Sequence, residues 1–151
     1  MRRDSRLSVA LHVLLHMHER EEAVSSEVLA EQMGMNPVVL RRTMAGLRDA
    51  GIVRSEKGHG GGWALARPLA DVTLAEIYDA LGTPTLFGLG PRVESPGCLV
   101  EQAVNRALTG ALEEARALWL ARMQGISLAD LAKDVRRRGG VRSKKGVRVH
   151  A

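Results

Sequence analysis

The chain has 151 residues, with 22 Lys+Arg against 17 Asp+Glu, giving a formal charge of +5 and a pI near 10.1. The excess is segmental: residues 133–151 carry eight basic groups against Asp134 alone, residues 1–69 are +2 and residues 70–132 are −4. At 45% hydrophobic the chain is globular, its apolar runs fall short of the roughly 18–20 residues of a membrane span, and Cys98, the only cysteine, excludes an internal disulfide or an all-cysteine metal cage.

Leu7, Leu11, Leu14 and Leu15 repeat at i, i+4, i+7 and i+8, which predicts one apolar face of a first helix, ended by the acidic stretch 19–22. Ser25 suits the N-cap of a second helix, with Glu27 favourable at its positive start. Val28, Leu29 and Met33 supply its expected buried side, and Gly34 closes it. Asn36 can cap a third helix, Pro37 fits its first position and Gly51 ends it. Leu40, Met44 and Leu47 then face inward and leave Val38, Arg41, Arg42, Ala45 and Arg48 outside. Two helices joined by Gly34-Met35-Asn36 match a helix-turn-helix in length.

Residues 52–55 and 63–66 alternate around a Gly-rich turn and predict a β-hairpin. Thr73-Leu-Ala-Glu76 is a capping-box pattern opening a helix through Leu81. Residues 82–97 hold three of the five prolines and four glycines, a linker or exposed loop. From Cys98 to Met123 a long helix is expected, with a wide apolar stripe of Val100, Val104, Leu108, Ala111, Leu112, Ala115, Leu118 and Trp119. Such a stripe needs a partner surface, most simply a second copy of the chain. Ser127-Leu-Ala-Asp130 opens a short last helix, and beyond Val135 the chain carries too little apolar content to fold. The expected fold is mainly α with a small β-hairpin wing. Its parts are a winged helix-turn-helix over 1–82, a Pro/Gly-rich loop over 83–97, a dimerisation helix with a short terminal helix over 98–135, and a basic disordered tail over 136–151.

An exposed basic helix face beside a Gly-rich hairpin points to double-stranded DNA; the rival is an interaction module whose winged helix docks a protein. Four aromatic residues are too few for serial stacking on single strands. Gly58-x-Gly60 lacks the third glycine and the βαβ setting of a dinucleotide loop, and His12 with His16 lacks a third ligand, so no metal site is expected. No nucleophile triad, phosphate loop or carboxylate pair stands out, so no enzyme is expected. The stretch Leu7 to Met17, cut by His12 and His16, is not a signal peptide, and one cysteine suits a reducing cytoplasm.

Ala10-Leu11, the run Ser55-Glu-Lys-Gly58-His-Gly-Gly61-Gly62-Trp63-Ala-Leu65-Ala, Thr73-Leu74 and Ser127-Leu-Ala-Asp-Leu131 resemble the bacterial winged-helix regulators that include IscR, NsrR and CymR, the Rrf2 family. The resemblance spans residues 1–132, and its wing pattern, a Gly, two residues, then Gly-Gly-aromatic-x-Leu, is fairly specific. It implies a homodimeric transcriptional regulator, a repressor, on a roughly palindromic DNA site. The third helix would enter the major groove, with Arg41 and Arg42 on guanine or phosphate and Val38 on a thymine methyl. Asn36 would cap or reach a base, Ser26 would touch phosphate, and Lys57, His59 and Gly60 of the wing would follow the minor groove.

Members with an iron–sulfur cluster carry three closely spaced cysteines where this chain has Cys98 alone, so no cluster and no cofactor are expected. Cys98 is instead a redox-sensing thiol in a helix's first turn, where the dipole favours an anion, or a small buried hydrophobe under the loop. A small-molecule or redox effector would act through 82–97. The basic tail would serve as a nonspecific DNA arm.

Overall fold

The computed structural model describes residues 4–20 and 22–142. Helix α1 (Arg6–His18) buries Ala10, Val13, Leu14 and Met17. The expected stripe is thus rotated: Leu7, Leu11 and Leu15 flank the buried face and are half-buried. Helix α2 (Ser26–Met33) is capped by Ser25, whose Oγ accepts from the Val28 N–H at 3.2 Å, and ends at the left-handed Gly34. It buries Leu29 and Ala30, while Val28, expected inside, is exposed. Helix α3 (Pro37–Asp49) begins at Asn36, whose Oδ1 accepts from the Val38 N–H at 2.8 Å, and buries Leu40, Thr43, Met44 and Leu47.

Strands β1 (Val53–Glu56) and β2 (Gly62–Leu65) form the predicted hairpin, antiparallel with Val53 opposite Leu65 and Glu56 opposite Gly62. The Val24 N–H donates to the Trp63 carbonyl at 2.9 Å and the Trp63 N–H to the Val24 carbonyl at 2.8 Å, so the segment before α2 adds a third, one-residue rung. After a 3₁₀ turn (Leu69–Asp71), α4 (Leu74–Ala80) opens with the expected capping box between Thr73 and Glu76.

Helix α5 (Leu99–Gln124) has no fully buried residue. Its stripe divides into two faces. Leu112, Ala115 and Trp119 are half-buried, with Trp119 edge-on to Tyr78 at 4.7 Å, while Val100, Val104, Leu108 and Leu118 are exposed. The loop before it is tied at both ends: Tyr78 donates its hydroxyl to the Pro84 carbonyl at 2.7 Å, and Gln102 donates to the Pro96 carbonyl at 2.8 Å.

Helix α6 (Leu128–Arg142) differs from expectation in place and length. Leu128 and Ala132 enter the main core, and backbone bonds from Leu74 N–H to Ile126 O and from Leu128 N–H to Val72 O, 3.0 and 2.9 Å, zip the chain to the start of α4. This helix therefore packs into the same core as α1, α2 and α3. It runs on through 136–142, where a disordered tail was expected; Asp134 accepts from Arg137 and Arg138, both at 2.8 Å, one helical turn away. Residues 143–151 of the expected tail lie outside the described residues.

Candidate nucleic-acid interface

Packing Leu40, Met44 and Leu47 against the core turns the opposite side of α3 outward. That side presents Val38 at 52% exposure, Val39 at 48%, and the exposed side chains of Arg41, Arg42 and Arg48. Arg41 donates through an Nη to Glu27 at the start of α2. The Glu27 carboxyl is held below the usual carboxylate range, first by its own backbone N–H and then by the Arg41 guanidinium. Arg42 points to the other flank, lining a groove of about 290 Å³ with Arg6, Thr43 and the end of α4. Gly46 makes that flank possible, because a Cβ there would lie 2.6 Å from the Ala80 carbonyl oxygen.

The wing carries Lys57, His59 and Gly60 fully outward. Gly58 and Gly60 adopt φ of 98° and 77°, which an L side chain resists, and the Gly61 N–H closes the tip onto the Gly58 carbonyl at 3.0 Å. A Cβ on Gly61 or Gly62 would overlap the carbonyls of Glu56 or Val24, so the glycine run is a packing requirement as well as a turn.

One expected contact changes character, that of Ser26, and Asn36 takes the first of its two expected roles. Ser26 is 8% exposed and its Oγ accepts from Trp63 Nε1 at 2.8 Å, so it fastens the wing to α2 and its hydroxyl faces inward. Asn36 caps α3 with its side-chain oxygen. Sequence reasoning missed Val39, which lies beside Val38, and the partnership of Arg41 with Glu27. The first-turn position of Glu27 is legible in the sequence, but its reach to a residue 14 positions on is not. Cys98 is exposed at the N-cap of α5 with no side-chain capping bond, which corrects both the buried reading and the first-turn placement.

The sequence matches the Rrf2 family, described as iron-dependent transcriptional regulator, over residues 3–134. The chain belongs to the Rrf2 family. It is similar to the protein named HTH-type transcriptional regulator YwnA of Bacillus subtilis, 31% identical over 85% of this chain and 95% of that one. Among solved structures it resembles a transcriptional regulator of Lactobacillus plantarum, with 27% identity, TM-score 0.74 and coverage of 93% of this chain and 96% of that one. IscR of T. potens shares the fold at 20% identity, with TM-score 0.66 and coverage of 99% of this chain and 94% of that one. The protein is thus a winged-helix, DNA-binding transcriptional regulator.

The iron in the Rrf2 description has few candidate donors in this chain. Cys98 is the sole thiol of the sequence. No three His, Cys, Asp or Glu side chains converge on a common point among the described residues. His12 and His16 stack at 4.8 Å on α1, and His16 is 3.8 Å from Glu19, a solvent-facing helix surface. A three-thiolate iron–sulfur site does not fit this chain. No helix of the described residues is long and apolar enough to cross a membrane.

Proposed function

We propose that this Rrf2 regulator is a homodimeric repressor that lays α3 of each protomer in the major groove of a roughly palindromic site. The reading is carried by one observation: the outward side of α3, with Arg41 and Arg42, stands in the same winged body as a glycine-tipped wing bearing Lys57 and His59. Arg41 and Arg42 would meet guanine edges or phosphates, Val38 a thymine methyl, and Lys57, His59 and Gly60 the neighbouring minor groove. Asn36 would act through its cap, and the buried Ser26 through Trp63, beneath the DNA surface.

The exposed Val100, Val104, Leu108 and Leu118 of α5 support self-association, since each would otherwise keep its apolar surface in water. Two such protomers would set their recognition helices about one turn of DNA apart. The 82–97 segment, tied to α4 by Tyr78 and to α5 by Gln102, would pass an effector's binding on to the spacing of the two heads. Cys98 offers an exposed thiol at the end of that segment for an oxidant.

A gel shift on the promoter of the protein's own gene, with and without peroxide, tests the reading, with light scattering of the same sample. A dimer that shifts the fragment, loses it on replacing Arg41 and Arg42 together by Ala, and loses it again in peroxide unless Cys98 is Ser, is the expected result. An unaltered shift with both arginines gone would refute the DNA face. Peroxide-insensitive binding would remove the thiol, and a monomer the twofold arrangement.

A further inference from the structure

We propose that Glu27 is a positioning residue for base recognition: it holds one Nη of Arg41 so that the free N–H donors of the guanidinium face a base edge. The inference rests on the reading of α3 as the DNA-contacting helix and names the residue that sets its selectivity. Glu27 and Arg41 belong to different helices, are both exposed, and are joined by a hydrogen-bonded ion pair on the outward side of the motif.

An exposed arginine has a long, rotatable stem, and ordering it costs up to about 2 kcal/mol of side-chain entropy. Unanchored, such a side chain serves phosphates as readily as bases. A guanidinium carries five donors in a rigid plane, so a carboxylate bound at one edge leaves other donors free for guanine O6 and N7. Glu27 is suited to the task because it is itself restrained. It lies in the first turn of α2, where the helix dipole favours its charge, directly after the capped start made by Ser25. An acidic side chain facing a polyanion lowers affinity unless it organises a cation there. Pairing with Arg41 supplies that organisation and keeps the pair neutral toward the phosphates, so nonspecific attraction falls while orientation is gained.

In vitro selection on a random duplex library, with the full chain as wild type, Glu27→Gln, Arg41→Ala and the double variant, tests the proposal. The wild type should enrich a motif with a guanine preference at two symmetry-related positions. Glu27→Gln should still bind DNA, with that preference reduced roughly tenfold. Arg41→Ala should flatten the same positions, and the double variant should add nothing further. A Glu27→Gln motif identical to the wild type's would overturn the positioning role while leaving the DNA-reading assignment of α3 intact. A library in which the wild type enriches no motif would overturn both.

Discussion

Trp63 and Ser26 show how a long-range hydrogen bond helps fasten the wing to α2. The indole N–H reaches a hydroxyl 37 residues earlier in the chain, at the start of α2, beside the one-residue rung that Val24 makes with Trp63. Replacing Ser26 by Ala strands a half-buried donor, which costs about 1–3 kcal/mol. Urea denaturation of Ser26→Ala should register that loss, while its DNA affinity, measured well below the unfolding midpoint, stays near wild type. A large affinity loss at unchanged stability would restore Ser26 to the phosphate surface. The sequence places Ser25 and Ser26 correctly at a helix start, but a partner 37 positions away leaves no local trace. Gly46 presents the same difficulty. A glycine inside a helix is legible as a cost of about 1 kcal/mol relative to Ala. The benefit, close approach to the end of α4, appears only in three dimensions. Gly46→Ala gains helix propensity yet forces its methyl to 2.6 Å from the Ala80 carbonyl oxygen. It should therefore lower the thermal midpoint where propensity alone predicts a rise.

The helices whose signals are local agree with their sequence patterns. Asn36-Pro37 and Thr73-x-x-Glu76 fix the starts of α3 and α4 because caps act within four residues. The α1 stripe rotates and α5 divides its apolar face in two because periodicity reports which positions are apolar, not which neighbour covers them. The α4 cap also titrates. Glu76 accepts from the Thr73 N–H at 2.9 Å and from Arg67 at 2.9 Å, and its carboxyl is held below the usual range, first by Thr73 and then by Arg67. A depressed folded-state pKa stabilises the fold fully above the unfolded value, about 4.3, and the contribution is lost as pH falls through the lower folded value. Thermal midpoints of wild type and Glu76→Gln should therefore differ at neutral pH and converge in acid below the ordinary glutamate range. The gap is modest, because both side chains of the Arg67–Glu76 pair are partly exposed. A gap that persists unchanged into strong acid would show that the carboxylate's charge contributes nothing to the cap.

For the molecule as a whole, the winged motif is legible in the sequence, whereas the return of α6 to its core is not. The Pro/Gly-rich stretch looks like a boundary, yet Leu128 and Ala132 return from beyond α5 into the same core as Leu14 and Leu40. Chain order cannot reveal such a return, since the apolar residues of α6 that enter or flank the core, Leu128, Ala129, Leu131 and Ala132, show in sequence only that the helix has a face to cover. Total charge is similarly uninformative about reading DNA: residues 1–69, which hold the helix-turn-helix and the wing, are +2, whereas 133–151 are +7. Part of that surplus is committed, because Arg137 and Arg138 both pair with Asp134. Beyond Arg142, residues 143–151 add Lys144, Lys145 and Arg148 with no acidic residue. Each phosphate neutralised releases condensed counterion and adds about 0.9 to the slope of log affinity against log salt. Ending the chain after Arg142 should therefore reduce the magnitude of that slope by up to about 3 per protomer. The preferred sequence should stay unchanged, since cations that meet only phosphates carry no base information. Titrating the truncated and full chains against one duplex from low to moderate salt separates the cases. Parallel slopes would show that 143–151 take no part in binding, and a changed sequence preference would show that they touch bases.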